Sequence, residues 1–173
     1  MLVQAFNNLW ANHRLYRALC AFSLEDFEAP RPSFFGSLQK TAQHLLEVDR
    51  YYVDAFEGGE LGVWAWSLPL PETAEDLRLE QQAWDRRLIE VCRAPPELVQ
   101  MDRGPRGVIP DRGDRILMHL FQHQVHHRGQ LHGLISLAGG RPPQLDEFYC
   151  TNEAHLRAAD LAELGLTEEE IWP

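Results

Sequence analysis

Residues 117–138 have the sequence LMHLFQHQVHHRGQLHGLISLA, whose apolar residues recur at the three- and four-residue spacing of an amphipathic helix. The helix is predicted to begin near Asp111 and Asp114 and to end at Gly139 and Gly140. Five of the eight histidines of the chain lie in this stretch: His119, His123, His126, His127 and His132. What this helix can bind therefore depends on which of them face the interior.

Successive helical residues turn by about 100°, and this rotation divides the five histidines into two groups. Measured from His123, the apolar stripe is centred at about 40° and contains Ile116, Leu120, Leu131, Leu134 and Ala138. His127 lies at the centre of the stripe, so His123 and His127 are predicted to face the core. His119 and His126 lie on its flank and His132 lies on the far side. These three are predicted to be solvated or hydrogen-bonded at the margin.

Two imidazoles four residues apart on one helical face can share a divalent ion. Buried together as neutral rings, they lack donors for each other's lone pairs unless a cation lies between them. A protein metal site needs a third ligand, and helical spacing leaves two candidates open, His44 and His13. Gln124 stands where the H-E-x-x-H motif has its glutamate base, which disfavours metalloprotease chemistry.

Three more helices are predicted from the same periodicity. The first covers residues 2–22, with His13 on its apolar seam, and the second lies within residues 33–56, with an apolar stripe that starts at Phe34. The third begins at a capping-box-like pair, Thr73 and Asp76, and ends before two prolines. Four long helices predict an all-α four-helix bundle, in which a ligand or metal binds between facing helices.

The rest of the chain is predicted to form shorter elements within a single domain, residues 1–173. Residues 60–71 contain Trp64 and Trp66 and are predicted to be a loop that covers part of the bundle. Residues 97–110 are compatible with a small hairpin, and residues 150–173 form a short helical C-terminal extension with a second capping box.

A formal net charge of −10 disfavours a nucleic-acid or anionic membrane surface, because such surfaces use clustered Lys and Arg. No apolar run is long enough to span a bilayer, and a cytoplasmic location is expected. The three cysteines, Cys20, Cys92 and Cys150, are odd in number and widely spaced, which is typical of reduced thiols.

Residues 120–149, LFQHQVHHRGQLHGLISLAGGRPPQLDEFY, resemble the last helix and following turn of the DinB/YfiT-like family of metalloenzymes. Residues 7–19, NNLWANHRLYRAL, are similar to the first helix of that family, and residues 33–52, SFFGSLQKTAQHLLEVDRYY, to its second. The likeness covers most of residues 4–149. One departure is Gln122, where the family usually has Asn.

The resemblance implies a bundle with up-down-down-up connectivity, a homodimer, and a divalent metal ion held by His44, His123 and His127. Zinc, nickel and iron all suit imidazole ligands, so the identity of the metal stays open. Asp49 and Arg128 turn away from these histidines and are predicted to have structural roles, whereas Gln130 is placed to line the pocket.

Two functions follow as hypotheses. Three neutral imidazoles leave coordination positions free, which is typical of a catalytic site. The first hypothesis is therefore a metal-dependent transferase, isomerase or hydrolase that acts on a small molecule, with a low-molecular-weight thiol as co-substrate, as in some members of the family. The alternative is a stress-related dimer that binds a metal or small ligand without turnover. Its support is the lack of a recognisable general base.

Overall fold

The computed structural model describes residues 1–172 and shows a mostly helical chain with one small sheet. The α-helices in chain order are α1 (Leu2–Leu19), α2 (Leu24–Glu28), α3 (Leu38–Phe56), α4 (Ala74–Arg93), α5 (Gly113–Leu137), α6 (Ala154–Leu164) and α7 (Glu168–Ile171). Short 3-10 helices occur at Gly62–Ser67, Gly104–Arg106 and Thr151–Glu153. The four predicted helices correspond to α1, α3, α4 and α5. None of the helices in residues 1–172 combines the length and hydropathy that a membrane span requires.

Side-chain caps set where α3 and α4 begin. The Ser37 hydroxyl accepts a hydrogen bond from the Lys40 N–H, and the Thr73 hydroxyl accepts one from the Asp76 N–H. The expectation that Phe34 belongs to the helical stripe is wrong. Gly36 has a φ of +85°, which glycine adopts without strain, so the chain turns before the Ser37 cap. Phe34 therefore precedes α3, and its side chain is 86% exposed.

The hairpin predicted at residues 97–110 is present. Strands β1 (Leu98–Asp102) and β2 (Val108–Arg112) pair antiparallel, and Val99 and Met101 bury their side chains against the helices. The connecting turn contains Gly104 and Gly107, both at positive φ. Because of this sheet, the class is mostly helical rather than strictly all-α.

The four long helices enclose the core. α1 and α3 each contact both α4 and α5. Trp10 and Tyr16 of α1 are among the largest fully buried side chains, and Leu45 and Leu46 of α3 are also fully buried.

The C-terminal extension packs against α1. Asp160 of α6 accepts hydrogen bonds from the Trp10 indole N–H at 3.2 Å and from Nε of Arg14 at 2.6 Å. The predicted capping box at Thr167 and Glu170 is present at the start of α7. Pro173, the last residue of the predicted extension, lies outside the described residues.

Buried polar side chains link α1, α4 and α5 within the core. Arg128 of α5 donates hydrogen bonds to the side-chain oxygens of Asn8 and Asn12 on α1. Both asparagines in turn donate to Asp85 of α4, at 2.9 and 3.0 Å. The Arg128 side chain was expected to turn away from the core, but the residue is only 4% exposed, because α5 buries a second face against α1.

The same hydrogen bonds continue to α3. Gln81 of α4 donates to both Asp85 and Asp49, and Gln124 of α5 donates to Asp49 at 2.6 Å. Asp49 is fully buried, so its predicted structural role is consistent with these contacts. We call the seven side chains the buried polar network: Asn8, Asn12, Asp49, Gln81, Asp85, Gln124 and Arg128. It joins all four long helices.

The buried polar network contains two carboxyl groups and one guanidinium. Burial and the nearby Asp85 together raise the pKa of Asp49 to about 8. Burial raises the pKa of Asp85 to about 6. Arg128 opposes both shifts, and the adjoining Tyr16 hydroxyl has its own pKa raised by burial. Burial therefore favours the protonated form of Asp49.

Replacing Asp49 with Asn tests this protonation state. The folded-state pKa of Asp49 lies above its unfolded value of about 3.9, so folding binds a proton and the free energy of unfolding falls as pH rises from about 4 to about 8. Asp49→Asn removes this titration. Between pH 5 and pH 8 we expect the variant to lose about 1–3 kcal/mol less stability than the wild type in urea unfolding. Parallel stability curves for the two proteins would contradict the assignment.

Candidate metal centre

His44 of α3 meets His123 and His127 of α5 where the two helices pack together. One ring nitrogen of each histidine lies within 4.8 Å of the other two, and Nε2 of His44 is 3.0 Å from Nε2 of His123. The ring centroids are 4.3 to 4.9 Å apart. The structure thus brings together the pair indicated by helical spacing and the third histidine implied by the resemblance.

The other candidate histidines lie elsewhere. His13, the alternative third ligand, places its Nε2 at 3.2 Å from Glu163 of α6. His119 and His126 are exposed on the flank of α5, as predicted. His132 is 3.0 Å from the carbonyl oxygen of Pro143, in agreement with a hydrogen-bonded position at the margin.

Gln130 orients one of the three imidazoles. Its Oε1 lies 2.8 Å from Nδ1 of His127, while its Nε2 lies 3.1 Å from Nε2 of His126. These contacts are mutually consistent if His127 carries its proton on Nδ1 and donates it to Gln130. The lone pair of His127 Nε2 is then free, which is the tautomer that a metal ligand needs. Gln130 was expected to line the pocket, and the contact gives it a specific positioning role.

All three imidazoles favour the neutral form. Burial and the neighbouring His127 lower the pKa of His44 to about 4. Burial, with smaller contributions from His127 and His44, lowers the pKa of His123 to about 3. Burial also lowers the pKa of His127, against the opposing effect of its hydrogen bond to Gln130. Neutral imidazole is the form that coordinates metals, so protons compete weakly for this cluster.

An aromatic side chain covers one side of the cluster. The ring of Phe35, in the segment between α2 and α3, stacks on His44 with centroids 4.4 Å apart and meets His127 edge-on at 5.3 Å. This ring shields two imidazoles from water, which favours their neutral forms. Of the tryptophans expected to cover the helices, Trp66 stacks on Tyr51 and Trp64 is 71% exposed.

Sequence reasoning missed Phe35 and Glu47. Phe35 precedes its helix, so helical spacing says nothing about it. Glu47 places its carboxylate 3.9 Å from Nδ1 of His44, and burial raises its pKa. Glu47 could have been found from the sequence, because it follows His44 by three residues and residues at this spacing are neighbours on a helix.

The residues present suit a divalent ion. The donor set is three neutral imidazole nitrogens, the usual ligands of zinc-type and other transition-metal ions. The buried Nδ1 of His123 has no hydrogen-bond partner within residues 1–172. The protein groups alone therefore leave this imidazole unsatisfied, as is common at sites built to bind something else.

Comparisons with known proteins bear on the family and the fold of this chain. A family model described as the DinB family matches residues 3–158. The chain is 23% identical over 141 residues to Protein DinB of Bacillus subtilis strain 168. This alignment covers 76% of this chain and 82% of the relative. A crystal structure of a DinB-like protein from Bacillus cereus ATCC 10987 has a similar fold, with a TM-score of 0.59 and 18% identity. The match covers 78% of this chain and 90% of that one.

The lowered pKa values can be measured directly. In chelator-treated protein, the His44 and His123 imidazoles should remain neutral at pH 5.5, since their pKa values are about 4 and about 3. Ring nitrogen chemical shifts recorded by NMR across a pH titration report the protonation state of each histidine. Titration of both rings near the ordinary value of about 6.5 would show that the cluster is more hydrated than this geometry implies.

Proposed function

This chain belongs to the DinB family, and from that membership and the meeting of His44, His123 and His127 we propose that it is a metal-dependent protein whose divalent ion is held by these three imidazoles. The convergence of three neutral donors from two helices is the observation that carries the proposal. Zinc, nickel and iron are the candidate ions, because imidazole suits all three.

The surrounding residues prepare the imidazoles for coordination. Gln130 holds the proton of His127 on Nδ1, which turns the Nε2 lone pair toward the cluster. Phe35 keeps water from one face of His44. Three protein ligands leave room for substrate, and a bound divalent ion would act as a Lewis acid that lowers the pKa of a coordinated water or thiol.

Metal content tests the first part of the proposal. Protein purified without a histidine tag should contain about one divalent ion per chain by elemental analysis. His44→Ala, His123→Ala and His127→Ala should each weaken metal affinity at least about tenfold, since each removes a ligand. His155→Ala, at an exposed position on α6, is the matched control and should keep its metal. Full retention of metal by the three ligand variants would refute the assignment.

We propose further that the reaction is a transfer, isomerisation or hydrolysis on a small electrophilic molecule, with a low-molecular-weight thiol as co-substrate. The cysteines of the chain support an external thiol. Burial raises the pKa of the Cys20 and Cys92 thiols to about 11, so neither is a thiolate at neutral pH. Cys150 lies in the C-terminal extension, where its carbonyl oxygen accepts a hydrogen bond from Arg157.

Turnover assays test this reaction class. Metal-loaded protein should convert electrophilic substrates when glutathione, mycothiol or bacillithiol is present. His123→Ala and chelation should each lower the rate at least about 100-fold, a loss typical of removing a metal that activates the nucleophile. His155→Ala again serves as the control. Rates that do not depend on metal or thiol would contradict the proposal.

The alternative function is a non-catalytic protein that binds a metal or small ligand. It is favoured by the lack of a clear general base. The carboxylate of Glu47 lies 3.9 Å from His44 Nδ1, beyond hydrogen-bonding distance, and Gln124 cannot take a proton. Metal binding without turnover in the same assays would select this alternative.

The homodimer stays a prediction. Its support is one face of α5 that exposes Met118 and Val125 and carries no charged side chain between them. Gly129 and Gly133 continue the exposed part of this helix with open space where a Cβ would lie, which would allow another backbone to approach closely.

A further inference from the structure

A cavity of about 290 Å³ lies between α3, the hairpin and α5. Its lining residues are Tyr52, Arg103, Asp111, Arg115, Ile116 and His119. His119 precedes the ligand His123 by one helical turn, and their ring centroids are 6.4 Å apart. On its other side His119 faces the Tyr52 ring at 5.5 Å. His119 therefore lies between the cavity and His123 of the candidate metal centre.

The charge of this cavity is opposite to that of the protein. Two of its lining residues are arginines and one is an aspartate, in a chain with a net charge of −10. Arg103 is 4.0 Å from the Asp111 carboxylate and also hydrogen-bonds to the Tyr51 and Tyr52 hydroxyls. Because a guanidinium has five N–H groups, these contacts leave part of its donors free. Arg115 is exposed and forms no ion pair with any group in residues 1–172. Two guanidinium groups thus retain unused donors in one small cavity.

Guanidinium groups recognise carboxylate and phosphate through paired N–H donors. The Tyr52 hydroxyl and the His119 ring add further donors, while the buried Ile116 side chain provides an apolar surface. A volume of about 290 Å³ is at the lower end for small-molecule sites and too small for a polymer.

We propose that this cavity binds the carboxylate or phosphate group of a small-molecule substrate, whose reacting end then lies toward His123. The inference rests on the proposed function for the reacting end, but the anion site itself requires no metal. Arg103 and Arg115 are assigned as the residues that select anionic substrates.

Binding of simple anions to the metal-free protein tests the site without any activity assay. Inorganic phosphate and malonate are titrated separately at low ionic strength and followed by NMR. At least one of them should shift the His119 and Ile116 signals saturably. The anion that binds more tightly identifies the phosphate or the carboxylate class. Arg103→Gln and Arg115→Gln should each weaken that binding about tenfold, because each removes charged hydrogen bonds to the anion.

Arg106→Gln, at an exposed position in the same hairpin turn, is the matched control and should bind like the wild type. Because Arg103 is partly buried, Arg115→Gln alone decides the outcome if Arg103→Gln does not fold. Equal affinities for wild type and Arg115→Gln, or the absence of saturable shifts with either anion, would overturn the proposal.

Metal content measured on the same samples keeps the two proposals separate. A wild-type protein that takes up no metal but binds phosphate or malonate through Arg115 would refute the metal centre and support the anion site. A wild-type protein that takes up metal but shows no anion binding through Arg115 would support the metal centre and overturn the anion site.

Discussion

The position of α5 depends on the hydrogen bonds of Arg128. This guanidinium is buried in the core, where it donates to Asn8 and Asn12, and these asparagines connect it to the Asp85 carboxyl. Breaking a buried charge pair typically costs about 3–5 kcal/mol, whereas the stability of a whole domain is about 5–15 kcal/mol. Hydrogen bonds are also directional, so a rotation of α5 by one residue, about 100°, would break them. The buried polar network therefore fixes how this helix is rotated relative to α1 and α4.

The same rotation sets the candidate metal centre. His123 is followed by Gln124, and His127 is followed by Arg128, so each histidine has a neighbour in the buried polar network. Along α5 one face presents imidazoles while the next, about 100° away, presents groups that hydrogen-bond to the other helices. On α3, Asp49 accepts from Gln124 one and a half turns beyond His44. The contacts that align α3 with α5 are thus adjacent to the imidazoles that they bring together.

Burial has different chemical consequences on the two sides of α5. In the buried polar network it favours a protonated carboxyl, and at the histidine cluster it favours neutral imidazoles. Both effects reduce the charge that the core must accommodate. Positive charge lies instead in the cavity beside His119, on Arg103 and Arg115. Neutral imidazoles near a cationic cavity form an environment suited to a small anionic molecule.

Local spacing within one segment is enough to predict the four long helices, the hairpin and the pair His123 and His127. It also placed the caps at Thr73 and Thr167, since capping is a contact over three residues. The predicted start of α3 is wrong, because apolar spacing extends back to Phe34, whereas the Gly36 turn and the Ser37 cap make the helix begin at Leu38.

Helical spacing leaves the third histidine open and the resemblance implies His44, and the tertiary structure brings this histidine to the pair. His44 and His13 both lie on apolar helical faces, and their separate partners, His123 and Glu163, are 79 and 150 residues away. It alone also revealed that Phe35 covers the cluster and that Arg128 is buried. Periodicity predicts which face of a helix is buried, but not which other helix packs against that face. That choice is made by packing and hydrogen bonding between residues far apart in the chain.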